Sequence, residues 1–169
     1  STARYGSGGG AIGDGSVSVG DLVWLDEDKD GRQDDDEPGI PGVTVRLYVD
    51  ANANGVYETG EELVATEVTD AAGIYVFHNL PPARYVVVVD ETSTPLAGAT
   101  LTGDPDNDGV PCPVPAVAGP SCDGQCGVLL ANESTFRGAD FGYQPPGVIG
   151  DLLWIDLNTN GVQDVASGE

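Results

Sequence analysis

Residues 43–55 read Val-Thr-Val-Arg-Leu-Tyr-Val-Asp-Ala-Asn-Ala-Asn-Gly. The first seven alternate strictly between apolar and polar, except for the Tyr, which places the four aliphatic residues on one face of a β-strand. The last six place an oxygen-bearing side chain at every second position and then a glycine, which is the first half of a calcium-binding loop. This stretch therefore predicts a half-buried strand that ends in a metal loop.

The same loop spacing occurs four times, beginning at Asp26, Asp50, Asp104 and Asp156. Calcium is a hard cation that takes six to eight oxygen ligands, and short side chains at alternate positions converge on one point when the backbone turns at the glycine. The alternative is a set of solvated turns, because Asp, Asn and Gly favour turns in any case. Four copies are more than this composition produces by chance, so we favour calcium as the bound cation.

Two of the loops fill the template at its later positions. Each has a seventh residue that can offer a backbone carbonyl, an acid at the ninth position and a glutamate at the twelfth, where calcium takes both carboxylate oxygens. The predicted ligands of the first loop are Asp26, Asp28, Asp30, Arg32, Asp34 and Glu37. Those of the second are Asp50, Asn52, Asn54, Val56, Glu58 and Glu61.

The other two loops are incomplete. The third offers Asp104, Asp106, Asp108 and Val110, but Cys112 and Pro115 stand at its ninth and twelfth positions. It needs a carboxylate from elsewhere in the chain, or it is only an Asp-rich turn. The fourth offers Asp156, Asn158, Asn160, Val162 and Asp164, with Glu169 two residues beyond the twelfth position.

The wider pattern predicts an all-β fold. Short alternating segments are separated by turn residues, and no segment has a convincing helical period. One segment runs from Val17 to Leu25, where we expect Trp24 to be a core or inter-domain packing residue. Asp70 begins a hairpin turn, Asp-Ala-Ala-Gly at residues 70–73; it could ligate calcium, but we favour a capping role. A helix after the first loop is blocked by Glu-Pro-Gly-Ile-Pro-Gly at residues 37–42, which argues against an EF-hand. We therefore expect an antiparallel β-sandwich with calcium-binding loops.

The charge of the chain excludes several classes of function. The net charge is −22, with six Lys and Arg residues in all, so there is no positive surface for nucleic acid. No apolar run approaches the length of a membrane helix. With one histidine, His78, and one lysine, Lys29, nucleophile–base pairs have almost no candidates, and we expect no enzyme. Since weak modular calcium sites suit millimolar calcium, we expect an extracellular protein.

Three cysteines lie in one Pro/Gly-rich stretch, at positions 112, 122 and 126. Both Cys112–Cys122 and Cys122–Cys126 are bridgeable. We favour Cys112–Cys122, because the longer loop gains more from a disulfide. That pairing leaves Cys126 as a thiol or as a link to another chain.

An internal repeat divides the chain. Gly-Asp-Leu-Val-Trp-Leu-Asp at residues 20–26 returns as Gly-Asp-Leu-Leu-Trp-Ile-Asp at residues 150–156. We therefore expect a flexible Gly/Ser-rich leader over residues 1–16, one full repeat over residues 17–144, and a linker with the first strand and loop of a following repeat over residues 145–169.

These motifs resemble the B-type repeats of serine-aspartate repeat surface proteins, which are related to collagen-adhesin B-type domains. The resemblance covers residues 17–90 and a closing Ala-Asp-Phe-Gly-Tyr at residues 139–143. It implies a calcium-binding Greek-key (prealbumin/Ig-like) β-sandwich that serves as a rigid stalk segment on the bacterial cell surface. It also implies the five acidic ligands of the first loop given above. Some relatives carry a Lys–Asn isopeptide bond, but Lys29 lies inside the first loop, so we expect none here.

Three hypotheses of function follow. The first is a calcium-stiffened structural repeat, a spacer or filament-assembly unit whose partners are other copies or adjacent repeats, joined head to tail through residues 148–169. The second is an adhesin module for a host or matrix ligand. The third is a dockerin-like module, which would need a helix after each calcium loop.

Overall fold

The computed structural model describes residues 17–105, 122–131 and 134–146. Within these ranges the regular structure consists of ten strands and one 3₁₀ turn at Thr94–Leu96. In chain order the strands are β1 Val17–Val19, β2 Val23–Leu25, β3 Thr44–Val49, β4 Leu63–Val68, β5 Phe77–Leu80, β6 Arg84–Val89, β7 Thr100–Gly103, β8 Gln125–Leu129, β9 Thr135–Phe136 and β10 Phe141–Gln144. The predicted all-β fold is confirmed.

One layer of the sandwich is a four-stranded antiparallel sheet in the order β4-β3-β6-β8. Strand β3 is the alternating strand that the sequence predicted, and its inward residues Val45 and Leu47 are fully buried. They lie opposite Val89 and Val87 of β6. Strand β3 pairs with β4, the next strand in the chain, and also with β6. Between β4 and β6 the chain passes through β5 in the other layer, so the connection is of the Greek-key kind.

The other layer contains two three-stranded sheets, β5-β1-β9 and β2-β10-β7. Two pairings are parallel rather than antiparallel: β1 with β9, and β2 with β10. The expectation of a wholly antiparallel sandwich came from hairpin signals between successive strands. Parallel partners need a long connection, and most of the described chain lies between the two strands of each parallel pair. No local sequence pattern therefore predicts these pairings.

The core lies between the two layers. Phe77, Phe141 and Tyr143 are each no more than 1% exposed and pack with the inward valines and leucines of the four-stranded sheet. Burial of these large side chains supplies the main driving force for the fold.

The sequence predicted one strand over residues 17–25, and the structure splits it at Gly20. Gly20 has φ +148°, and a Cβ there would lie 2.3 Å from the carbonyl oxygen of Tyr75. Only glycine fits so close to another backbone. The break lets β1 and β2 join different sheets.

Cys122 is disulfide-bonded. Its predicted partner, Cys112, lies outside the described residues, so the pairing stays a prediction. Cys126 lies in β8 and is 2% exposed, within the core.

Candidate metal centres

The first loop, residues 26–37, follows β2 and is organised around a buried carboxylate. Asp26 is completely buried. Its Oδ1 accepts a hydrogen bond from the backbone N–H of Lys29 at 2.6 Å, and its Oδ2 accepts one from Gly31 at 3.0 Å. Gly31 has φ +74°, which is the sharp turn that the template assigns to the sixth position. The carboxylate at position one thus fixes the path of the loop.

A second carboxylate closes the same loop at its twelfth position. Glu37 accepts hydrogen bonds from the backbone N–H of Glu27 at 2.8 Å and of Asp34 at 3.1 Å, one on each oxygen. Both oxygens of Glu37 are therefore held at the mouth of the loop, as a bidentate ligand requires.

Three of the five predicted acidic ligands of the first loop converge on one point. Asp26, Asp28 and Asp30 each offer a carboxylate oxygen, and these three oxygens lie within 4.8 Å of one another. Oxygens bound to one Ca²⁺ at about 2.4 Å can be at most about 4.8 Å apart. The donor set consists of hard oxygens with the spacing of a calcium site, so the residues of this loop fit the ion.

Charge accumulates at this site. Local desolvation raises the pKa of the exposed Asp34, and the neighbouring carboxylates of Asp30 and Asp28 raise it further. A bound cation would remove this repulsion. For Arg32 the structure shows its N–H donating to Oδ1 of Asp30 at 2.8 Å; the use of its carbonyl as a ligand stays a prediction.

The second loop, residues 50–61, follows β3 and repeats this hydrogen-bond scheme with one difference: the N–H that donates to Oδ1 of the first carboxylate belongs to the fifth loop residue instead of the fourth. Asp50 is 6% exposed, and its two oxygens accept from Asn54 N–H at 3.1 Å and Gly55 N–H at 3.0 Å. Glu61 accepts from the N–H groups of Ala51 and Glu58, both at 3.1 Å. In both loops, the carboxylates at positions one and twelve thus each accept two hydrogen bonds from backbone N–H groups of the loop.

The interior of the second loop is less acidic. Asn52 and Asn54 donate from their amide nitrogens to the two oxygens of Glu58, at 2.7 and 3.2 Å. Oδ1 of Asn54 accepts from the N–H of Val56 at 2.9 Å. The potential ligands are three carboxylates, two amide oxygens and one carbonyl, which is again a set of hard oxygens suited to calcium.

The structure describes only the first two residues of the third loop, of which Asp104 is a predicted ligand. Asp104 is 5% exposed, and its Oδ2 accepts from the N–H groups of Asp123 and Gly124, at 3.1 and 3.0 Å. Asp106, Asp108 and Val110 lie outside the described residues. So does all of the fourth loop: Asp156, Asn158, Asn160, Val162, Asp164 and Glu169.

Two acids that the sequence analysis did not consider lie near Asp104. Burial raises the pKa of Asp123 to about 6, with Asp104 as the next cause. Burial also raises the pKa of Glu91, whose Oε1 accepts from the hydroxyl of Tyr143 at 3.4 Å. No spacing in the sequence links residues 91, 104 and 123, so only the fold could bring them together.

Two residues have the structural roles that the sequence predicted. Asp70 was expected to cap a hairpin turn, and its Oδ1 accepts from the N–H groups of Ala72 at 2.8 Å and Ile74 at 3.0 Å. Trp24 was expected to pack, and it is 3% exposed; its ring lies where a Cβ on Gly103 or Gly142 would be.

The β-sandwich and its two acidic loops together define the class of protein, a β-sandwich repeat of extracellular surface proteins. The chain belongs to the SdrD B-like domain family, which matches residues 17–112. This confirms the resemblance found in the sequence, and with it the location outside the cell, at the bacterial surface.

Individual relatives agree with the family match. The chain is 34% identical over 159 residues to serine-aspartate repeat-containing protein I of Staphylococcus saprophyticus, covering 88% of this chain and 7% of that protein. It is 34% identical to serine-aspartate repeat-containing protein F of Staphylococcus epidermidis, covering 88% of this chain and 8% of that protein. The chain therefore spans less than a tenth of the length of these relatives.

Among solved structures, the chain is similar to GBS52, the minor pilin of Streptococcus agalactiae. The TM-score is 0.42 at 15% identity, covering 81% of this chain and 48% of that one. In the part of the chain that the structure describes, no helix is long and apolar enough to cross a membrane.

Proposed function

We propose that the chain is a calcium-stiffened structural repeat, used as a spacer or filament-assembly unit of a surface protein. The observation that carries this proposal is the shared scheme of the two loops. In each, the carboxylates at positions one and twelve accept four backbone hydrogen bonds, and in the first loop an oxygen each of Asp26, Asp28 and Asp30 lies within 4.8 Å of the others. Such a pocket of oxygens on a chain of net charge −22 suits a divalent cation.

Stiffening follows from linkage between binding and folding. A cation that binds the folded loop and not the unfolded chain stabilises the fold by about 2.7 kcal/mol at a hundred times the dissociation constant. The loops begin at β2 and β3, one in each layer of the sandwich. Calcium would therefore hold both layers and limit bending of the module.

The partners we propose are other copies or adjacent repeats of the same protein. Residues 148–169 carry an apolar strand pattern followed by the fourth loop, and strand donation to a neighbouring unit would bury it. Deletion of residues 148–169 should leave a folded monomer and abolish calcium-dependent assembly. A full-length chain that stays monomeric in calcium at high concentration would exclude head-to-tail assembly.

The other two hypotheses have less support. Strands β3 and β4 follow the two loops where a dockerin needs helices, which disfavours a dockerin-like module. The adhesin alternative has no specific observation in its favour, and a glycan and matrix-protein binding screen would test it. We propose no enzymatic activity.

Calorimetry with the full chain tests the calcium sites directly. We expect at least two Ca²⁺ ions per chain, with Mg²⁺ competing poorly because the loops offer more oxygens than its octahedron accepts. Glu37→Gln and Glu61→Gln, singly and together, are the matched variants: each should remove one ion, and the pair both. Fewer than two ions bound by the unmodified chain would contradict the proposal.

A further inference from the structure

The second loop lies on the outer face of the four-stranded sheet and reaches a strand to which it is not adjacent. Strand β3, from which the loop leaves, pairs with β4 and β6, and β8 lies beyond β6. Nevertheless, Gly55 of the loop packs directly on Gly127 of β8. A Cβ at residue 127 would be 2.5 Å from the Cα of Gly55, so this contact has no room for a side chain.

Two further contacts join the loop to the sheet. The N–H of Tyr57 donates to Oε1 of Gln125 in β8, at 2.7 Å. The ring of Tyr57 stacks on that of Tyr48 in β3, with centroids 4.1 Å apart and an angle of 34° between the planes. The loop is thus attached at two strands of the sheet, β3 and β8.

The burial of Val86 shows how closely this part of the sheet is covered. Val87 and Val89 of β6 point into the core, so Val86 points to the outer face. It lies in register between Tyr48 and Gly127, the two residues on which the loop packs. Val86 is nevertheless fully buried, as expected if the second loop covers it.

We propose that the second loop is a clamp that holds edge strand β8 on the sheet, and that a divalent cation in the loop closes it. Among the strands of the described ranges, β8 is at the edge of its sheet and pairs with β6. The residues that touch β8, Gly55 and Tyr57, lie between the potential cation ligands of the same loop. A cation that fixes those ligands fixes the clamp as well. The inference rests on the calcium binding proposed above and goes beyond it by assigning the ion a target strand.

The coupling must act in both directions. If the cation strengthens the contacts with β8, the contacts with β8 strengthen binding of the cation by the same factor. Residues 125 and 127 are not ligands, yet changing them should weaken calcium binding in the second loop alone.

Amide hydrogen exchange of the full chain gives the first test. In calcium, the amides of residues 125–129 should exchange slowly, and a chelator should speed their exchange about ten-fold or more, as local opening of an edge strand does. At a calcium concentration that saturates the unmodified chain, Glu61→Gln should reproduce this loss. Glu37→Gln, the matched change in the first loop, should leave exchange in β8 nearly unchanged.

Calorimetry gives the second test. Gln125→Ala removes the acceptor of the Tyr57 N–H, and we expect about five-fold weaker calcium binding at one of the sites, the value of one ordinary hydrogen bond. Gly127→Ala should weaken it more, since the new Cβ displaces the loop. Leu129→Ala is the control, because Leu129 belongs to the same strand and is 61% exposed.

The results separate the clamp from the calcium proposal. If no calcium binds, both proposals fail. If calcium binds and Glu61→Gln removes one ion, but exchange in β8 responds to neither calcium nor that variant, the clamp alone is wrong. Equal effects of Gln125→Ala and Leu129→Ala on calcium affinity would also overturn it. Gln125→Ala is a mild change to a partly buried residue and keeps the test valid should Gly127→Ala fail to fold.

Discussion

The two complete loops share most of their hydrogen-bond scheme and differ in charge. In both, the carboxylates at positions one and twelve accept from backbone N–H groups at positions two, six and nine; the fourth donor stands at position four in the first loop and at position five in the second. The first loop fills the other side-chain positions with acids, to give five carboxylates, whereas the second has two asparagines and gives three. The comparison teaches that the shape of such a loop is set by positions one, six and twelve. Positions three, five and nine can then tune its charge.

The loops also differ in what they contact. At the first loop, Asp26 N–H donates to the carbonyl of Tyr143 in β10 at 3.0 Å, beside β2 from which the loop leaves. The second loop reaches across the opposite layer to β8. Each layer is therefore tied by its own loop, and the loss of either should loosen a different part of the module.

Removal of both metals should have the greatest effect. At calcium concentrations near a hundred times the dissociation constants, a chelator should cost about 2.7 kcal/mol for each loop. Thermal unfolding followed by circular dichroism should show a large fall in melting temperature that calcium restores. Sodium chloride of equal ionic strength is the control. An unchanged melting curve in chelator would show that neither loop binds calcium in the folded state.

Replacement of the first carboxylate should then test whether the two loops share one scheme. In Asp26→Asn and Asp50→Asn, an amide nitrogen faces a backbone N–H in place of an oxygen. Each change should therefore cost about 1–3 kcal/mol without metal, from a lost hydrogen bond and an unsatisfied donor. Urea unfolding in chelator measures this. A large loss for one variant and none for the other would contradict the shared scheme.

The charge difference should appear in affinity. The Glu61→Gln variant should bind calcium only in the first loop, and the Glu37→Gln variant only in the second. We expect the first loop to bind calcium about ten-fold more tightly at low salt, because the affinity of such sites rises with the number of charged ligands. Salt should reduce the difference. Calorimetry at low and high ionic strength tests this, and equal affinities at low salt would show that charge does not distinguish the loops.

The carboxylate of Asp140 should make the stability of the metal-free fold depend on pH. Burial raises the pKa of Asp140 to about 6, with Asp21 as the next cause. Because the pKa of Asp140 is higher in the folded state than in the unfolded chain, the ionised carboxylate destabilises the fold above pH 6. This loss of stability decreases as the pH falls from 6 to 3.8, the ordinary pKa of the carboxyl group. Asp140→Asn, which keeps an oxygen for the N–H of Leu22, should therefore stabilise the metal-free protein.

The effect should be small, about 1 kcal/mol at pH 7.5 after allowance for partial exposure, and about half as large at pH 5, which lies midway between the two pKa values. Urea unfolding at the two pH values measures it. A stabilisation that is equal at both would mean that the charge of Asp140 is not its cause.

The sequence was sufficient for features that depend on neighbouring residues. The alternation of β3, the turns at Gly31 and Gly55 and the turn at Asp70 are all local patterns, and each was found at the predicted residues. Contacts between distant segments were not predictable in this way. Nothing near Gly55 indicates that Gly127 will lie against it, and nothing near Asp104 indicates Asp123. Such pairs are selected by packing of the whole sandwich, which spacing and propensity do not encode.

The parallel pairing of β2 with β10 has a mechanical consequence. The first of these strands lies near the start of the described module and the second near its end, joined in register from Val23–Phe141 to Leu25–Tyr143. Tension applied through the two ends of the module would pull the neighbouring strands in opposite directions along their length. Their hydrogen bonds, such as Phe141 N–H to Leu22 O at 2.9 Å, would then be sheared together instead of being unzipped one after another. A module built in this way should resist extension best along the direction in which a stalk is pulled.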